Sequence, residues 1–293
     1  MKTGIVILNY NDYETTLKCL QPILEYKNID HIIVVDNCST NDSYEQLAQH
    51  LTDRWVLLRA PSNGGYAKGN NIGINYLLKN YDVDIIGIVN PDISFSDEFA
   101  GKIKRLYTEF PEYGIITGIQ HDIHGKISKR AFWRELNFCQ TIISMFYSLS
   151  KIQEIIKGNF VANTLKGTKS LIEVPTVEGC LFFVDASSWR KIHGFDENTF
   201  LFMEEDILAK KIHKIHKKIG VCPFLSFTHA HSTSINKAVS YFKKMEIMYE
   251  SRRYFVKEYI SKNPLISFLF NIFIYLSWLE QIILVYPYLK IKR

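Results

Sequence analysis

The chain has too few cysteines, too widely scattered, to be stapled. Its five (Cys19, Cys38, Cys139, Cys180 and Cys222) are odd in number and form no CxxC pair. That excludes a disulfide framework or a zinc ribbon and predicts reduced thiols in a cytosolic compartment. Internal repeats and low-complexity linkers are absent. The apolar run in the opening MKTGIVILNY is too short for a signal peptide and leads straight into strand-like sequence, so the active domain is expected in the cytoplasm. No Gly-x-Gly-x-x-Gly follows the first strand, which disfavours a dinucleotide site. That position, Asn9-Tyr10-Asn11-Asp12, is neither Gly-rich nor basic, as the triphosphate loop of a nucleotidyltransferase would be. Net positive charge is missing from most of the chain. Between Lys237 and Arg293 there are ten Lys/Arg and four Glu, a net of +6, against +5 for the whole sequence. The basic excess therefore sits in the tail and suggests a phosphate-rich partner.

What is present suits one large α/β domain, or one domain with an appendage. The 293 residues are 47% apolar and 14% aromatic, enough for a sizeable core. Strands are predicted over Gly4–Leu8, His31–Asp36, Trp55–Arg59 and Asp84–Asn90. Helices are predicted over Tyr13–Tyr26 with Asp12 as cap, Asp42–Leu51, Gly65–Leu78 and Ser96–Phe110. Such alternation implies a mostly parallel sheet with helices on both faces, binding ligands at the carboxyl ends of its strands. The pattern weakens after Gly118. A polar loop or hairpin over His121–Leu136, a helix over Asn137–Ile156, one or two strands within Ile172–Val184, a helix over Glu204–Lys218 and an extended Val221–His231 follow. The domain is expected to span 1–235, as a nucleotide-binding half (1–118) and an acceptor and catalytic half (119–235), with a basic, apolar helical tail over 236–293. The uncharged tail run Pro264–Leu279 falls slightly short of the ~18 residues of a spanning helix and is then interrupted by Glu280 and Gln281. Ser267, Asn271, Ser277 and Gln281 fall on one side of a helical wheel, which favours a helix lying in the membrane interface; a helical hairpin packed on the domain is the alternative. Tail aromatics lie in the apolar run, not between charges as a stacking surface requires, so no nucleic-acid partner is expected.

Five constellations carry the chemistry. Asp36, ending strand two in VVDNCST, can accept hydrogen bonds from a base or ribose, although Asn37, Ser39 and Asp42 can equally make a turn and cap a helix. In SNGGYAKGNNIG, Gly64 and Gly65 let backbone approach a ligand, Asn63 and Asn70 offer donors and acceptors, and a helix N-terminus favours anions. Asp92 in VNPDI can bind a divalent cation held mainly by diphosphate oxygens, or can end a strand in a turn. Glu204-Glu205-Asp206 can provide a general base or cap a helix. His229 and His231, two apart on an extended segment, point the same way and can complete a metal sphere or touch a diphosphate.

The order of ILNYN, VVDNCST, SNGGYAKGNNIG, VNPD, VEGCLFFV, GFDENTFLFMEED and HAHSTS along the chain resembles family 2 glycosyltransferases of the GT-A fold, particularly rhamnosyltransferase-like enzymes of bacterial surface-polysaccharide synthesis. The resemblance covers roughly Thr3 to Ser234. It implies a Rossmann-like sheet and an inverting transfer from a nucleotide-diphosphate-sugar. It implies that Asp36 contacts the base and that Asn63, Gly64 and Asn70 line the nucleotide pocket, a region to which Asn9, Asn11, Asn37, Gly65, Lys68 and Asn90 are also assigned. Asp92 would bind Mg²⁺ or Mn²⁺ within an NPD version of the usual DxD, whose first acid is here Asn90. Glu178 and Gly179 would line the donor-sugar and acceptor region. The base would be Glu205 or Asp206, with Glu205 preferred and Glu204 beside it, and His229 or His231 would be the late metal or diphosphate ligand. The acceptor would be a glycan, on a polyprenyl diphosphate, met at the inner membrane face through the tail. The departures at Asn90 and Glu205 leave a degenerate nucleotide-sugar-binding membrane scaffold as the non-enzymatic alternative.

Overall fold

The computed structural model describes residues 1–165, 171–230 and 240–287. Its first half follows the predicted alternation: β1 (Thr3–Asn9), α1 (Tyr13–Ile23), β2 (His31–Asp36), α2 (Ser43–Gln49), β3 (Val56–Arg59), α3 (Gly65–Asn80), β4 (Ile85–Val89), β5 (Ile93–Ser94) and α4 (Asp97–Glu109). Helices start at their caps. The Asp12 carboxylate accepts from Thr15 N, and the Ser96 hydroxyl from Phe99 N. α1 stops short of Tyr26, just past Pro22, which has no N–H to continue the ladder.

Strands β3, β2, β1 and β4 lie side by side, all parallel. Side chains of β1 alternate between faces. Ile5 and Ile7 join Leu20 and Ile23 of α1 and Phe99 and Ile103 of α4, whereas Val6 joins Ile74 and Leu77 of α3. Both faces are covered, which is why these strands read as continuous apolar runs. Each such side chain, fully buried, stabilises the fold by about 1.5–3 kcal/mol.

Beyond β4 the sheet becomes mixed. β6 (Tyr113–His121), β7 (Phe132–Trp133), β8 (Ile172–Glu173), β9 (Thr176–Val177), β10 (Leu181–Asp185) and β11 (Lys218–His229) follow in the chain. β10 enters antiparallel between β4 and β6, β11 runs parallel to β6, and β5 and β8 pair antiparallel with β11. β7 and β9 form a separate antiparallel pair. The weakening at Gly118 is not a boundary, because β6 runs through it. A Cβ at Gly118 would lie 2.6 Å from the Leu225 carbonyl oxygen, so close strand packing, not a break, demands glycine there. The division expected at residue 118 therefore cuts a strand. Near Leu225, β11 shifts register between Cys222 and Ser226. This bulge carries its end on to His229, opposite Ile93.

The helix expected over residues 137–156 is two helices, α5 (Phe138–Met145) and α6 (Tyr147–Lys157), separated by an extended Phe146; α7 (Phe160–Leu165) follows. α8 (Ala186–Ile192) and α9 (Glu204–Lys214) cover the α3 face of the sheet through Trp189, Leu208 and Ile212. The tail forms α10 (Tyr241–Phe255) and α11 (Pro264–Glu280), each ending in a π-helical turn, at Val256–Ile260 and Gln281–Val285. Met245, Tyr249, Phe255, Phe270 and Ile274 of this hairpin share a buried cluster with Met145, Met203 and Ile207 of the main domain.

The polar side of α11 packs against protein and its apolar side faces outward. Ser277 is buried, 2.9 Å from the Tyr249 hydroxyl, and donates to the Met145 carbonyl. Asn271 accepts from Arg253, and Gln281 from Tyr241. Glu280 does not end the apolar run; its carboxylate accepts from the backbone N–H groups of Tyr147 and Ser148 at the start of α6. The helical stretch Pro264–Val285 is 22 residues long, with mean hydropathy 1.8, and is long and apolar enough to cross a membrane by length and composition.

Candidate active site

β1, β2, β4, β6 and β11 run one way and β10 the other. The carboxyl ends of the five and the start of β10 therefore meet along one sheet edge. Asn9, Asp36, Asn90, Asp92, Glu178, Gly179 and His229 all lie there. His231 falls outside the described residues.

The loops after β1 and β2 are clamped together by polar side chains. Asn9 is fully buried; its amide donates to Asp36 (2.8 Å) and Ser39 (3.3 Å) and its carbonyl accepts from Thr16. Asp36 is also fully buried and takes further hydrogen bonds from the Ser39 hydroxyl and backbone N–H. Asn11 accepts from Thr40 and Asn41 backbone N–H groups. Asn11 and Cys38 hold left-handed φ values of 57° and 58°, a strain that such a network can impose. Asn9 and Asp36, both expected at the nucleotide, lie at their strand ends within this network, and burial and internal hydrogen bonding fix the orientation of both side chains.

The glycine loop is likewise built by packing within the chain. Gly65 has φ +87°, and a Cβ there would sit 2.0 Å from the Phe200 carbonyl oxygen, which accepts from Tyr66 N. Contact with the loop before α9 therefore requires glycine at this position. Asn63 accepts from the Asn37 amide and from Gly65 N. Lys68 packs its stem against Gly64, and the Asn70 amide donates to the Tyr66 carbonyl. Two buried acceptors on this wall, Asn37 Oδ1 and Asn70 Oδ1, have no hydrogen-bond partner.

The β5–β11 pairing brings Asp92 to His229, with Asp92 Oδ2 3.2 Å from His229 Nε2 and Gln120 Nε2 2.8 Å from His229 Nδ1. Glu178, Cys180 and His229 offer ligand atoms all within 4.8 Å of one another. Burial pushes the Glu178 carboxyl up to about 6, and its Oε2 is buried without a hydrogen-bond partner. A buried carboxylate oxygen lacking a donor, beside an imidazole and a second carboxylate, fits a divalent cation. Glu178 and His229 can hold such an ion, with Asp92 beside His229 at the edge of the group. Burial raises the Cys180 thiol well above its ordinary range in the metal-free protein. Gln120 completes the logic. Its Oε1 is unpartnered, and with its amide turned it would accept Nδ1–H, leaving Nε2 for a metal. Asn90, the departure from the usual acid pair, is tied into the strand edge: its N–H donates to the Cys180 carbonyl.

The three acids open α9 after two residues of left-handed backbone, Phe202 (φ 73°) and Met203 (φ 72°). Glu204 and Asp206 are buried, while Glu205 is partly open. Burial raises all three carboxyls. Glu204 also feels Glu205, and Asp206 reaches about 7 although the Trp133 indole N–H, 2.9 Å away, donates to it. Glu205 Oε1 accepts from Gly179 N at 3.3 Å, and a Cβ on Gly179 would come within 2.9 Å of that oxygen. Sequence reasoning missed Tyr66, Trp133, Gln120 and Arg252. Tyr66 donates to the Gly179 carbonyl, within electrostatic reach of Glu205 and Asp92. Arg252 of α10 is buried behind Asp206 and helps hold that acid down. Only Tyr66 carried a signal, its place inside the glycine motif.

The family model for glycosyl transferase family 2 matches residues 4–168, more than half of the chain. A hexosyltransferase of low-salt glycan biosynthesis from Haloferax volcanii, Agl10, is 24% identical over 229 residues, covering 77% of this chain and 66% of its own length. The chain thus spans just under two thirds of that relative. Among solved structures, the mannosyltransferase PcManGT of Pyrobaculum calidifontis, in complex with GDP-Man and Mn²⁺, superposes with a TM-score of 0.54 at 16% identity over 87% of this chain and 62% of its own. GalNAc-T7 with UDP, GalNAc and Mn²⁺ gives 0.59 at 12% over 78% and 43%. These distant likenesses speak to the fold, whereas the family match speaks to descent: the chain belongs to glycosyl transferase family 2.

Proposed function

We propose that the protein is an inverting glycosyltransferase that moves a sugar from a nucleotide-diphosphate-sugar to a hydroxyl of a lipid-linked glycan in cell-surface polysaccharide synthesis. The observation that carries this reading is the meeting of the Asp92–His229–Glu178 group and a partly open Glu205 along one sheet edge, bridged by Gly179 and Tyr66. Glu205 is the base. It is the most accessible of the three acids, and its raised carboxyl makes it a stronger proton acceptor than an ordinary glutamate. It takes the proton of the acceptor hydroxyl as that oxygen forms its bond to the anomeric carbon and the bond to the diphosphate breaks. Asp92, Glu178 and His229 would hold Mg²⁺ or Mn²⁺, which when bound absorbs charge on the leaving diphosphate. Neighbours solved with Mn²⁺ and nucleotides or nucleotide-sugars support that choice of ligand.

Asn37, Asn63, Gly64, Gly65, Lys68 and Asn70 form the nucleotide wall, with the unpartnered Asn37 and Asn70 carbonyls as its acceptors. The chain before β6 serves the donor, the chain from β6 to residue 235 the acceptor and base, and 236–293 the membrane. The protein works as a peripheral enzyme on the cytoplasmic face. The test is to incubate it with a panel of nucleotide-sugars, Mn²⁺ and polyprenyl-diphosphate-linked acceptors and to measure released nucleoside diphosphate. Release with one donor, stopped by chelation, is the expected result. Silence with every donor would leave only a binding scaffold.

A further inference from the structure

α6 is an amphipathic helix with no buried residue. Ile152, Ile155 and Ile156, at i, i+3 and i+4, share one face and are 51%, 82% and 75% exposed. A surface helix of a soluble protein turns such a stripe inward. α11 shows the same reversal. Its serine, asparagine and glutamine contacts face protein, while Leu265, Phe268, Ile272, Tyr275, Trp278 and Ile283 are 41–68% exposed. The two helices meet where Glu280 accepts from the first N–H groups of α6. A cavity of about 410 Å³ opens at that junction, with Arg130, Lys151 and Glu154 as its charged lining residues.

We infer that α6 and α11 form one lipid-contacting surface, joined by Glu280, so that the acceptor half itself, not the tail alone, lies in the membrane interface. This rests on the membrane-surface reading above and extends it to a helix outside the tail. Charge and chemistry favour lipid over a protein partner. Lys151 and Lys157 lie on α6, and Lys243, Lys244, Lys257 and Lys262 on α10 and the turn before α11. Glu154, Glu246 and Glu258 pair with Lys151, Lys243 and Lys262, and the net basic excess that these elements keep beside apolar stripes matches an anionic headgroup layer above hydrocarbon. Exposed Tyr275 and Trp278 suit the same boundary. The junction cavity, with two cations against one acid, would sit at headgroup depth between the bilayer and the acids of α9.

The test uses the full chain and sedimentation with vesicles of phosphatidylcholine, with or without phosphatidylglycerol. Wild type should bind the anionic vesicles. The triple variant Ile152→Ser, Ile155→Ser, Ile156→Ser should lose at least tenfold in vesicle affinity, as should Phe268→Ser with Ile272→Ser. Nucleotide-sugar binding, measured without vesicles, should be unchanged in both, which shows that the folded site survives. If only the α11 variant loses vesicle binding, α6 is not part of the surface and the inference fails. If the α6 variant instead abolishes a dimer formed without lipid and leaves vesicle binding intact, the face belongs to a second copy and the inference also fails. Loss of donor binding in wild type would overturn the transferase reading while leaving the vesicle result to stand by itself.

Discussion

The two sides of the sheet edge treat buried charge in opposite ways. On the β1–β2 side, Asp36 is fully buried yet receives hydrogen bonds on both oxygens from Asn9 and Ser39. On the β10–α9 side, Glu178, Glu204, Glu205 and Asp206 crowd together with carboxyls raised by burial, and Glu178 Oε2 and Glu204 Oε1 have no hydrogen-bond partner. A satisfied buried acid fixes geometry. An under-satisfied one carries a free-energy cost that a cation, a proton or a substrate can relieve. The first region is therefore held in one geometry, and the second contains groups whose charge a ligand can relieve.

The largest effect that would sharpen this contrast is on rate. Glu205→Gln should lower kcat by about 10²–10⁴-fold, the range for a general base, while leaving nucleotide-sugar affinity and thermal midpoint near wild type. A wild-type rate would move the base to Asp206. Asp36→Asn should do the reverse. Its amide would point a donor at donors, destabilising the fold by about 1–3 kcal/mol, read as a lowered denaturation midpoint. Loss of activity at an unchanged midpoint would mean that Asp36 contacts substrate after all.

The smallest expected effect is a pH slope. Asp206 titrates near its ordinary 3.8 when unfolded and near 7 when folded. The folded state then binds more protons between those values, so stability falls as pH rises from about 4 to about 7 and levels off above. The metal-free protein's thermal midpoint should follow that fall, and Asp206→Asn should make it shallower, with the raised Glu178, Glu204 and Glu205 carboxyls keeping a residual slope of the same sign. A flat profile in wild type would show that Asp206 is not held protonated.

Much of the frame was legible. The β1, β2 and β4 runs, the Asp12 cap and the start of α4 beside Ser96 all follow from local pattern. Long-range packing was not legible. The packing that requires glycine at Gly65 and Gly118 was hidden, because nothing local reveals the Phe200 and Leu225 carbonyls pressed against them. Trp133 and Arg252 lack any motif and reach the acids only through the β7–β9 pair and the packing of α10. The α11 stripe was seen, but the protein partners of its polar side were not.

By itself the sequence determined which groups exist for chemistry and which strands carry them to one edge, since alternation and strand direction are local and cumulative. The tertiary structure decided which of those groups are spent on the fold and which stay reactive. Asp36 is closed off by Asn9 and Ser39, and Glu205 is left partly open. That choice depends on neighbours tens to hundreds of residues away, whose hydrogen bonds and burial fix the energy of each charge.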